Sequence, residues 1–439
     1  MTTASQPWFR YPRFNGRQQR AVIIGAGIAG CQLSWHLGNA GWQVTVIERA
    51  GEISNGASGN PAGVVSPKMT AQHGPGEHFY RQAFSYAIAQ LARLKAEITD
   101  LPWHPCGMLQ LTHDERETKR WDALRQRDDL SLPGGKRLLQ CVDAAQASTI
   151  AGIACPNSAT YFPQAGWLSP RGLCEALLAD CPCDLRLNTA VGDIRPIEQT
   201  GNEGMGGWRV FDNNNHLIAV ADSVIFANGH AANTSPQTQH IPMTGVLGQS
   251  SLLDAQPATE KLRCVIGHQG YLTPAFQLSS SPAQQSSPVH ALGASYQRHF
   301  NSDAINSTVD QENRDQLQRH LPRFLTADAK VSPGHAAIRA TTPDRFPIVG
   351  GLPNVNSYRQ HYAWLRHGMQ HLRTGIPAAE YLPGLFILSG LGSRGLSTSG
   401  FCADLLSRLI TDDIRPEDET WLERLHPARF LIKSLKTGR

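Results

Sequence analysis

The pattern of apolar and polar positions at the start of the chain predicts a strand, a turn and a helix. Residues 21–24 read AVII, a short apolar run typical of a buried parallel strand. A glycine-rich turn follows, then a helix predicted to end near Asn39, and a second apolar strand ending at Glu48. Residues 384–410, GLFILSGLGSRGLSTSGFCADLLSRLI, repeat this order of strand, turn and helix. We therefore expect both ends of the chain to lie in one α/β layer.

The middle of the chain has a different pattern, richer in short alternating segments. Asn213–Asn215 separates two such segments and predicts a hairpin. Helical apolar spacing appears at 77–98 and again at 310–325. Further strands are predicted at 106–112, 246–253, 270–276 and 290–296. A β-rich unit is thus expected as an insertion into the α/β layer.

Length and composition indicate a globular protein. The 439 residues exceed the usual limit of one hydrophobic core, which favours two domains. Hydrophobic residues make up 41% and charged residues 17%, and no apolar run approaches the roughly 18 residues of a membrane span. The nine cysteines are scattered and lack zinc-site spacing, so we expect reduced thiols, no metal and a cytoplasmic protein.

Basic residues are concentrated at the two ends of the chain. Residues 1–20 carry +4 and residues 424–439 carry +5, whereas the whole chain carries only +4, so its middle is acidic. The basic residues are Arg10, Arg13, Arg17, Arg20, Arg424, Arg429, Lys433, Lys436 and Arg439. Basic ends on an acidic body suggest arms for a polyanion such as a nucleic acid. The alternatives are that the ends aid solubility or target an organelle.

Gly25, Gly27 and Gly30 form the pattern G-x-G-x-x-G directly after the first strand. The glycines permit a tight turn, close approach of the backbone to a pyrophosphate, and close helix–strand packing. The N-terminus of the following helix offers N–H groups to phosphates. Glu48 ends the next strand, where an acid can hold ribose hydroxyls. The complete arrangement predicts dinucleotide binding.

FAD and NAD both fit this fingerprint, and the late turn from Gly390 to Gly395 favours FAD. A second helix N-terminus can reach the flavin end of a longer cofactor and stabilise the negative charge of its reduced form. The alternative is an ordinary glycine-rich loop. The small-residue stretch 55–63, NGASGNPAG, is either a linker or a loop that lies against the cofactor. We interpret it as a cofactor loop.

Several motifs in this order carry a family resemblance. They include GAGIAG, GASGNPAG, FPQAGWLSP, GYLTP, RATTPDRFPIVG and LGSRGLSTS. The chain resembles the flavin-dependent oxidoreductase half of the MnmC family of tRNA wobble-uridine modification enzymes, within the D-amino-acid oxidase and glycine oxidase superfamily. The resemblance runs from residues 7–9 to residues 425–436. It implies an α/β fold: a Rossmann-like, glutathione-reductase-like FAD-binding domain with an inserted α+β substrate domain on an antiparallel sheet.

The resemblance also implies an activity. A family member oxidises the carboxymethylaminomethyl group on the wobble (2-thio)uridine of tRNA by hydride transfer to flavin N5. Hydrolysis of the imine then leaves an aminomethyl uridine and glyoxylate. Bifunctional members carry a methyltransferase half that uses S-adenosylmethionine. That half is missing here, so we expect a protein that works alone, one that works with a separate methyltransferase, or a fragment.

The resemblance assigns roles to residues. Arg339 matches a carboxylate-binding arginine, Tyr271 a tyrosine that lines the same pocket, and Arg394 a carboxylate or flavin contact. Each has a structural alternative: Arg339 could pair with Asp344, Tyr271 could be a core residue, and Arg394 could cap backbone carbonyls. The predicted cofactor contacts are Gly25, Gly27, Ile28, Ala29, Gly30, Glu48, Arg49, Ala57, Ser58, Gly59, Asn60, Gly63, Val191, Asn228, Gly229, Gly392, Ser393, Arg394, Gly395 and Leu396.

The predicted domains follow from these assignments. The FAD-binding domain comprises 20–75, 155–235 and 335–415, and the substrate domain comprises 76–154 and 236–334. A basic arm, 1–19, and a basic tail, 416–439, complete the chain. Two rival functions stay open: a glycine/sarcosine-type amine oxidase acting on a free small molecule, and a flavin-containing RNA-binding subunit without turnover.

Overall fold

The computed structural model describes residues 6–12, 14, 19–197, 207–278, 287–326, 329–368 and 376–438. Its strands are β1 Arg20–Ile24, β2 Gln43–Ile47, β3 Gly63–Val65, β4 Trp103–His104, β5 Met108–Leu111, β6 Gln140–Val142, β7 Ala159–Phe162, β8 Gly166–Leu168, β9 Asp184–Arg186, β10 Val191–Pro196, β11 Trp208–Asp212, β12 Leu217–Ala221, β13 Ser223–Phe226, β14 Thr244–Asp254, β15 Val265–Gly267, β16 Tyr271–Leu272, β17 Val289–Gly293, β18 Val331–Thr341, β19 Ile348–Pro353 and β20 Tyr381–Ser389. Its α-helices are α1 Ile28–Asn39, α2 Pro75–Glu97, α3 Glu115–Arg125, α4 Ala144–Ala151, α5 Pro170–Asp180, α6 Ser307–His320, α7 Val355–Tyr362, α8 Gly395–Ile410, α9 Asp418–Leu425 and α10 Arg429–Thr437.

The first and last apolar strands lie in one six-stranded sheet with the order β19-β20-β13-β1-β2-β9. All its pairings are parallel except β19 with β20. Alternate residues of β1 enter two different cores: Ile23 packs with α1 and α8, whereas Val22 packs with the β10–β12 side. Burial on both faces explains why the sequence of β1 is uniformly apolar. The predicted α/β layer is confirmed.

The β-rich part forms an eight-stranded sheet with the order β18-β14-β17-β16-β15-β5-β7-β6. Its pairs are antiparallel apart from β15 with β5. Alternate residues of β14 point to opposite faces. On one face, Gln249 and Ser251 donate hydrogen bonds to Asp310 of α6, at 2.8 and 2.5 Å. The helix therefore covers this face of the sheet and not the opposite one.

Two smaller sheets complete the structure. Strands β10, β11 and β12 form an antiparallel sheet, which confirms the hairpin expected around Asn213–Asn215. Strands β3, β8 and β4 form the other, and β3 follows directly after the small-residue loop. Strand β7 and most of β18 lie within ranges assigned to the FAD-binding domain, yet both belong to the eight-stranded sheet.

The two basic ends pack together instead of extending as free arms within the described residues. Trp8 is fully buried in a cluster with Tyr358 and Ile432 of α10, and the Tyr358 hydroxyl donates to the Trp8 carbonyl at 2.7 Å. Tyr11 stacks on His426, with ring centroids 4.7 Å apart. Aromatic residues among the arginines thus dock the N-terminus onto the C-terminal helices. Arg13, Arg17 and Arg439 lie outside the described residues.

No described helix combines the length and the apolar character required to cross a membrane.

Candidate active site

The glycine-rich turn after β1 is held by close backbone contacts. Gly25 has φ +108°, and a Cβ there would lie 2.8 Å from the Asn228 Cα at the end of β13. A Cβ on Gly30 would lie 1.9 Å from the Gly25 carbonyl oxygen. The turn, the start of α1 and the end of β13 therefore meet at distances that only glycine permits. The first helical turn, which contains Ile28 and Ala29, begins at this point.

Glu48 is fixed beside this turn by backbone amides. Its Oε2 accepts from the Ala26 N–H at 2.9 Å, and its Oε1 accepts from the Ala50 N–H at 3.0 Å. An ionised carboxylate has about four acceptor sites, so ribose hydroxyls can still bind it. Arg49 is exposed, and Val191 is partly buried at the edge of the core beneath the sheet.

Ser58 and Asn60 use their side chains to fix the small-residue loop. The Ser58 Oγ is buried and accepts from the Ile28 N–H of the first α1 turn at 2.9 Å. The Asn60 Nδ2 donates to the Tyr271 hydroxyl at 2.9 Å, and the Asn60 Oδ1 accepts from the Ser250 hydroxyl at 2.8 Å. Ser58 lies within the short 3-10 turn Ala57–Gly59, and Asn60 follows that turn. The loop thus joins the dinucleotide turn to the eight-stranded sheet.

Gly59 and Gly63 lie at two close contacts of the same loop. A Cβ on Gly59 would approach the His335 ring of β18 to 2.6 Å. A Cβ on Gly63 would approach the Leu396 Cδ1 of α8 to 2.4 Å. Packing between layers favours small residues here, which is a reason the sequence did not reveal.

The second glycine-rich turn brings the start of α8 beside the start of α1. A Cβ on Gly395 would lie 3.7 Å from the Ile28 Cγ2, so the two N-termini are neighbours. Their positive dipole ends and first-turn N–H groups favour an anionic ligand in this region. Gly392 has φ +58° in the turn before α8, and Ser393 is exposed.

Arg394 makes the contacts of a backbone clamp. Its Nη1 donates to the carbonyl oxygens of Ser66 and Pro67, at 3.2 and 3.1 Å. Burial lowers the pKa of Arg394 from its ordinary value, and the nearby Tyr80 opposes that shift. These contacts agree with the alternative expected from the sequence, namely capping of carbonyls near the turn. A direct role in the chemistry stays a prediction.

Asn228 and Gly229 follow β13 next to the first turn. The Asn228 Oδ1 is buried and has no hydrogen-bond partner among the described residues. Gly229 has φ +58°, and a Cβ there would meet no atom within 4 Å. A buried acceptor without a partner costs free energy unless a ligand satisfies it. The region therefore fits a polar cofactor.

Arg339 lies on β18, in the face of the eight-stranded sheet opposite α6. It pairs with Val246 of β14, and its guanidinium lies across the backbone of Gly248 two residues further along. A Cβ on Gly248 would be 2.3 Å from the Arg339 Nη2. A single long hydrogen bond, 3.5 Å, joins its Nη1 to the Ser295 carbonyl oxygen.

Arg339 does not form the salt bridge considered from the sequence. Asp344 instead pairs with Arg429, with Nε–Oδ2 at 2.8 Å and Nη2–Oδ1 at 3.0 Å. In the described ranges no carboxylate lies within 4 Å of the Arg339 guanidinium. Burial lowers the pKa of Arg339 from its ordinary value, while Tyr271 and Tyr296 oppose this. A half-buried guanidinium without an internal acid is suited to a carboxylate ligand.

Tyr271 is on the same side of the sheet. It pairs with Gly293 of β17, which in turn pairs with Ser250 of β14. Its hydroxyl donates to the Ala62 carbonyl at 3.0 Å and accepts from Asn60. Burial raises the pKa of Tyr271, although Asn60 and Arg339 act against the shift. Tyr271 is thus tied to the small-residue loop and stays protonated at neutral pH.

Gly248 and Ser250 belong to this arrangement but were not predicted. The signal was present in VLGQSSLL, because a glycine inside a strand often marks close approach of another group. Identifying that group requires the register between β14 and β18.

Among the described residues, one cluster has the geometry of a metal site: His73, Glu77 and Asp129. Both carboxylates of this cluster form ion pairs with arginine, since the Arg127 Nη2 lies 2.5 Å from Glu77 and 2.9 Å from Asp129. Arg81 also contacts Asp129 at 2.7 Å. These ion pairs join α2 to the loop after α3, and they favour a structural role.

Comparison with known proteins identifies relatives. The proteins of Pseudomonas savastanoi pv. phaseolicola and Methylobacillus flagellatus are 31% and 32% identical over 99% and 95% of this chain. Both are described as "tRNA 5-methylaminomethyl-2-thiouridine biosynthesis bifunctional protein MnmC". The chain spans only 62% and 60% of their lengths. The resemblance found in the sequence is confirmed.

Solved structures support the fold. Glycine oxidase from Geobacillus kaustophilus matches with a TM-score of 0.67 and 18% identity, covering 90% of this chain and 96% of that one. Iminodiacetate oxidase from Chelativorans sp. BNC1 matches with a TM-score of 0.64 and 20% identity over the same shares. The model of the family "DAO: FAD dependent oxidoreductase" matches residues 20–409. The chain therefore belongs to the DAO family of FAD-dependent oxidoreductases.

Proposed function

We propose that this protein oxidises the carboxymethylaminomethyl group of the tRNA wobble (2-thio)uridine, with FAD as its cofactor. The observation that carries the proposal is the Arg339 guanidinium. It lies half-buried, without an acidic partner among the described residues, on the sheet face joined to the dinucleotide layer through Asn60. A secondary amine that ends in a carboxylate is the substrate type that such a site recognises.

The predicted cofactor residues fit FAD on three structural grounds. The Gly25–Gly30 turn is shaped by contacts that exclude a Cβ, Glu48 is fixed beside it, and the Asn228 Oδ1 lacks a partner. The Gly25–Gly30 turn and the α1 N-terminus would hold the pyrophosphate, and Glu48 would hold the adenosine ribose. The α8 N-terminus would lie toward the flavin end. Bound FAD supplies the two-electron acceptor that the side chains lack.

Arg339 supplies binding and orientation. Its planar guanidinium can grip a carboxylate with two parallel hydrogen bonds, and arginine is effectively always protonated in proteins. Tyr271 would form one wall of the pocket. Its hydroxyl proton is committed to the Ala62 carbonyl, so Tyr271 is assigned no role as a base. Together these residues would fix which C–H bond faces the cofactor.

The reaction balances as a two-electron oxidation. The substrate R–CH₂–NH–CH₂–COO⁻ loses a hydride from the carbon between nitrogen and carboxylate, and the nitrogen loses its proton. The product R–CH₂–N=CH–COO⁻ then adds water. Cleavage of the C–N bond leaves R–CH₂–NH₂ on the tRNA and releases glyoxylate. A methyltransferase that uses S-adenosylmethionine, in the same or in another polypeptide, is the partner expected for this amine.

The tRNA substrate is favoured over a free amino acid by the relatives, whose names refer to tRNA thiouridine biosynthesis. Basic residues near both chain ends are also suited to a polyanion. Anaerobic mixing of the purified flavoprotein with tRNA that carries the modified wobble uridine tests the choice. We expect tRNA to bleach the flavin, and free glycine and sarcosine to leave it oxidised. Rapid bleaching by sarcosine with none by tRNA would favour the small-molecule oxidase. A flavin that no substrate reduces would favour the RNA-binding subunit.

A further inference from the structure

A cavity of about 630 Å³ borders the small-residue loop. Its walls come from Gly59–Pro61, from β4 and β8, and from residues 274–278. Arg339 and Tyr271 are not among its lining residues. A volume of this size falls within the range of small-ligand sites. It is large enough for a planar heterocycle with its sugar.

Aromatic rings form one wall of this cavity. His104 lies parallel to Trp167, with an interplanar angle of 11° and ring centroids 4.1 Å apart. Phe276 contacts the same indole at 4.7 Å and 42°. Trp167 is 4% exposed, His104 is exposed, and both residues line the cavity. Partial burial of the imidazole, and then the nearby Lys95, lower the pKa of His104, so the imidazole is neutral at neutral pH.

Two arginines, Arg171 and Arg263, also line the cavity. Arg171 pairs with the exposed Glu52 at 2.7 Å, and Arg263 donates to the Thr149 carbonyl. Both guanidiniums remain partly accessible to solvent. Aromatic rings and guanidinium groups in one cavity suit a ligand that combines a planar ring with an anionic group.

The cavity is connected to the candidate active site through one side chain. Asn60 lines the cavity and also donates its amide to the Tyr271 hydroxyl. A group in the cavity therefore sits on the same segment that borders the candidate substrate pocket. If the substrate is long, the cavity could therefore hold the portion of the substrate that is adjacent to the reacting atoms.

We propose that the cavity binds a nucleobase of the substrate RNA next to the wobble position, stacked on His104, with Arg171 and Arg263 near its phosphates. This inference rests on the proposed function for the identity of the RNA. Single-stranded RNA is commonly bound by splayed bases on aromatic side chains with basic groups along the backbone. A free amino acid offers no ring to stack, so the aromatic wall favours the RNA.

The test measures binding of a labelled anticodon stem-loop RNA by fluorescence anisotropy at fixed salt. His104 is exposed, so His104→Ala should fold normally, and His104→Tyr restores an aromatic plate. His216→Ala, at the exposed tip of the β11–β12 hairpin, is the matched control. We expect His104→Ala to raise Kd by about 5- to 150-fold, the range found for loss of one stacked base. His104→Tyr and His216→Ala should bind like the wild type.

Two further measurements separate this proposal from the function. Flavin reduction by the isolated modified nucleoside should be unchanged in His104→Ala, because the nucleoside lacks the neighbouring base. Arg263→Gln should reduce the slope of log Kd against log salt by about 0.7, as expected for loss of one phosphate contact on a single strand. An unchanged salt slope would overturn the assignment of Arg263 to a phosphate.

The outcomes are distinct. If the wild type oxidises tRNA while His104→Ala keeps the wild-type Kd, the cavity does not hold a base and the proposed function stands. If the stem-loop binds in a His104-dependent manner but no tRNA reduces the flavin, the cavity proposal stands and the proposed function fails. Equal weakening by His104→Ala and His104→Tyr would overturn stacking.

Discussion

The most specific structural prediction concerns Gly248, which has no chemical group of its own to contribute. A Cβ at this position would lie 2.3, 2.4 and 2.5 Å from the Nη2, Cζ and Nη1 of Arg339. Ordinary contacts of a Cβ begin near 3.4 Å. Gly248→Ala must therefore displace the guanidinium by roughly 1 Å, and a misplacement of that size can cost about 100-fold in rate. This factor corresponds to about 2.7 kcal/mol of activation free energy.

The same substitution should affect folding little. The Arg339 side chain is flexible and half-buried, and replacing a strand glycine by alanine gains roughly 0.5–1 kcal/mol of backbone stability. Stopped-flow anaerobic flavin reduction with modified tRNA measures the chemical step, and the flavin absorbance of the purified protein reports cofactor content. Gly74→Ala is the matched control, because a Cβ there would meet no atom within 4 Å.

A double-mutant cycle shows whether Arg339 mediates the effect. We expect Gly248→Ala to slow reduction in the wild type and to have no further effect in an Arg339→Ala background. Wild-type rates in Gly248→Ala would refute the assignment. An equal loss of reduction rate in both backgrounds would also refute it, because the effect of Gly248→Ala would then not depend on Arg339.

Three further predictions concern binding and stability. Arg339→Ala should abolish rapid reduction while FAD stays bound; an unchanged reduction rate would remove Arg339 from the site. Gly63→Leu should lower FAD content, because even a Cβ there approaches Leu396 to 2.4 Å, and full FAD content with an unchanged Tm would contradict this. Burial, and then Arg394 and other arginines, lower the pKa of Lys68 from 10.5 to about 8. Protonated Lys68 therefore costs stability below about pH 8, and this cost fades as pH rises toward the unfolded value. Lys68→Met should accordingly raise Tm at about pH 7, with a difference that shrinks by about pH 10; a constant difference would refute the coupling.

Local sequence patterns were enough to predict the parts of the fold that are built from neighbouring residues. The turn at Gly25–Gly30 requires glycines within a few residues of the preceding strand. Its role can therefore be predicted from one short segment of sequence. The hairpin around Asn213–Asn215 could likewise be predicted from the residues of one short segment. Each feature depends on contacts that are short in sequence.

Contacts between distant segments were not readable from the same patterns. Arg429 forms an ion pair with Asp344. Arg394 donates hydrogen bonds to the carbonyls of residues 66 and 67, which lie more than 320 positions earlier in the sequence. Charge alone could not tell which acid pairs with which arginine. Similarly, the placement of Arg339 over Gly248 follows from the register of two strands about 90 residues apart. The basic ends looked like free arms because their aromatic residues gave no indication of where they dock.

The proposed function requires that the carboxymethylaminomethyl group of tRNA is the group oxidised. Mass spectrometry of nucleosides from tRNA, before and after anaerobic incubation with the flavoprotein, tests it most directly. We predict that carboxymethylaminomethyl (2-thio)uridine disappears, aminomethyl (2-thio)uridine appears, and glyoxylate is released in equal amount with the reduced flavin. An unchanged nucleoside profile, from a protein whose flavin is reduced by a free amine, would contradict the claim.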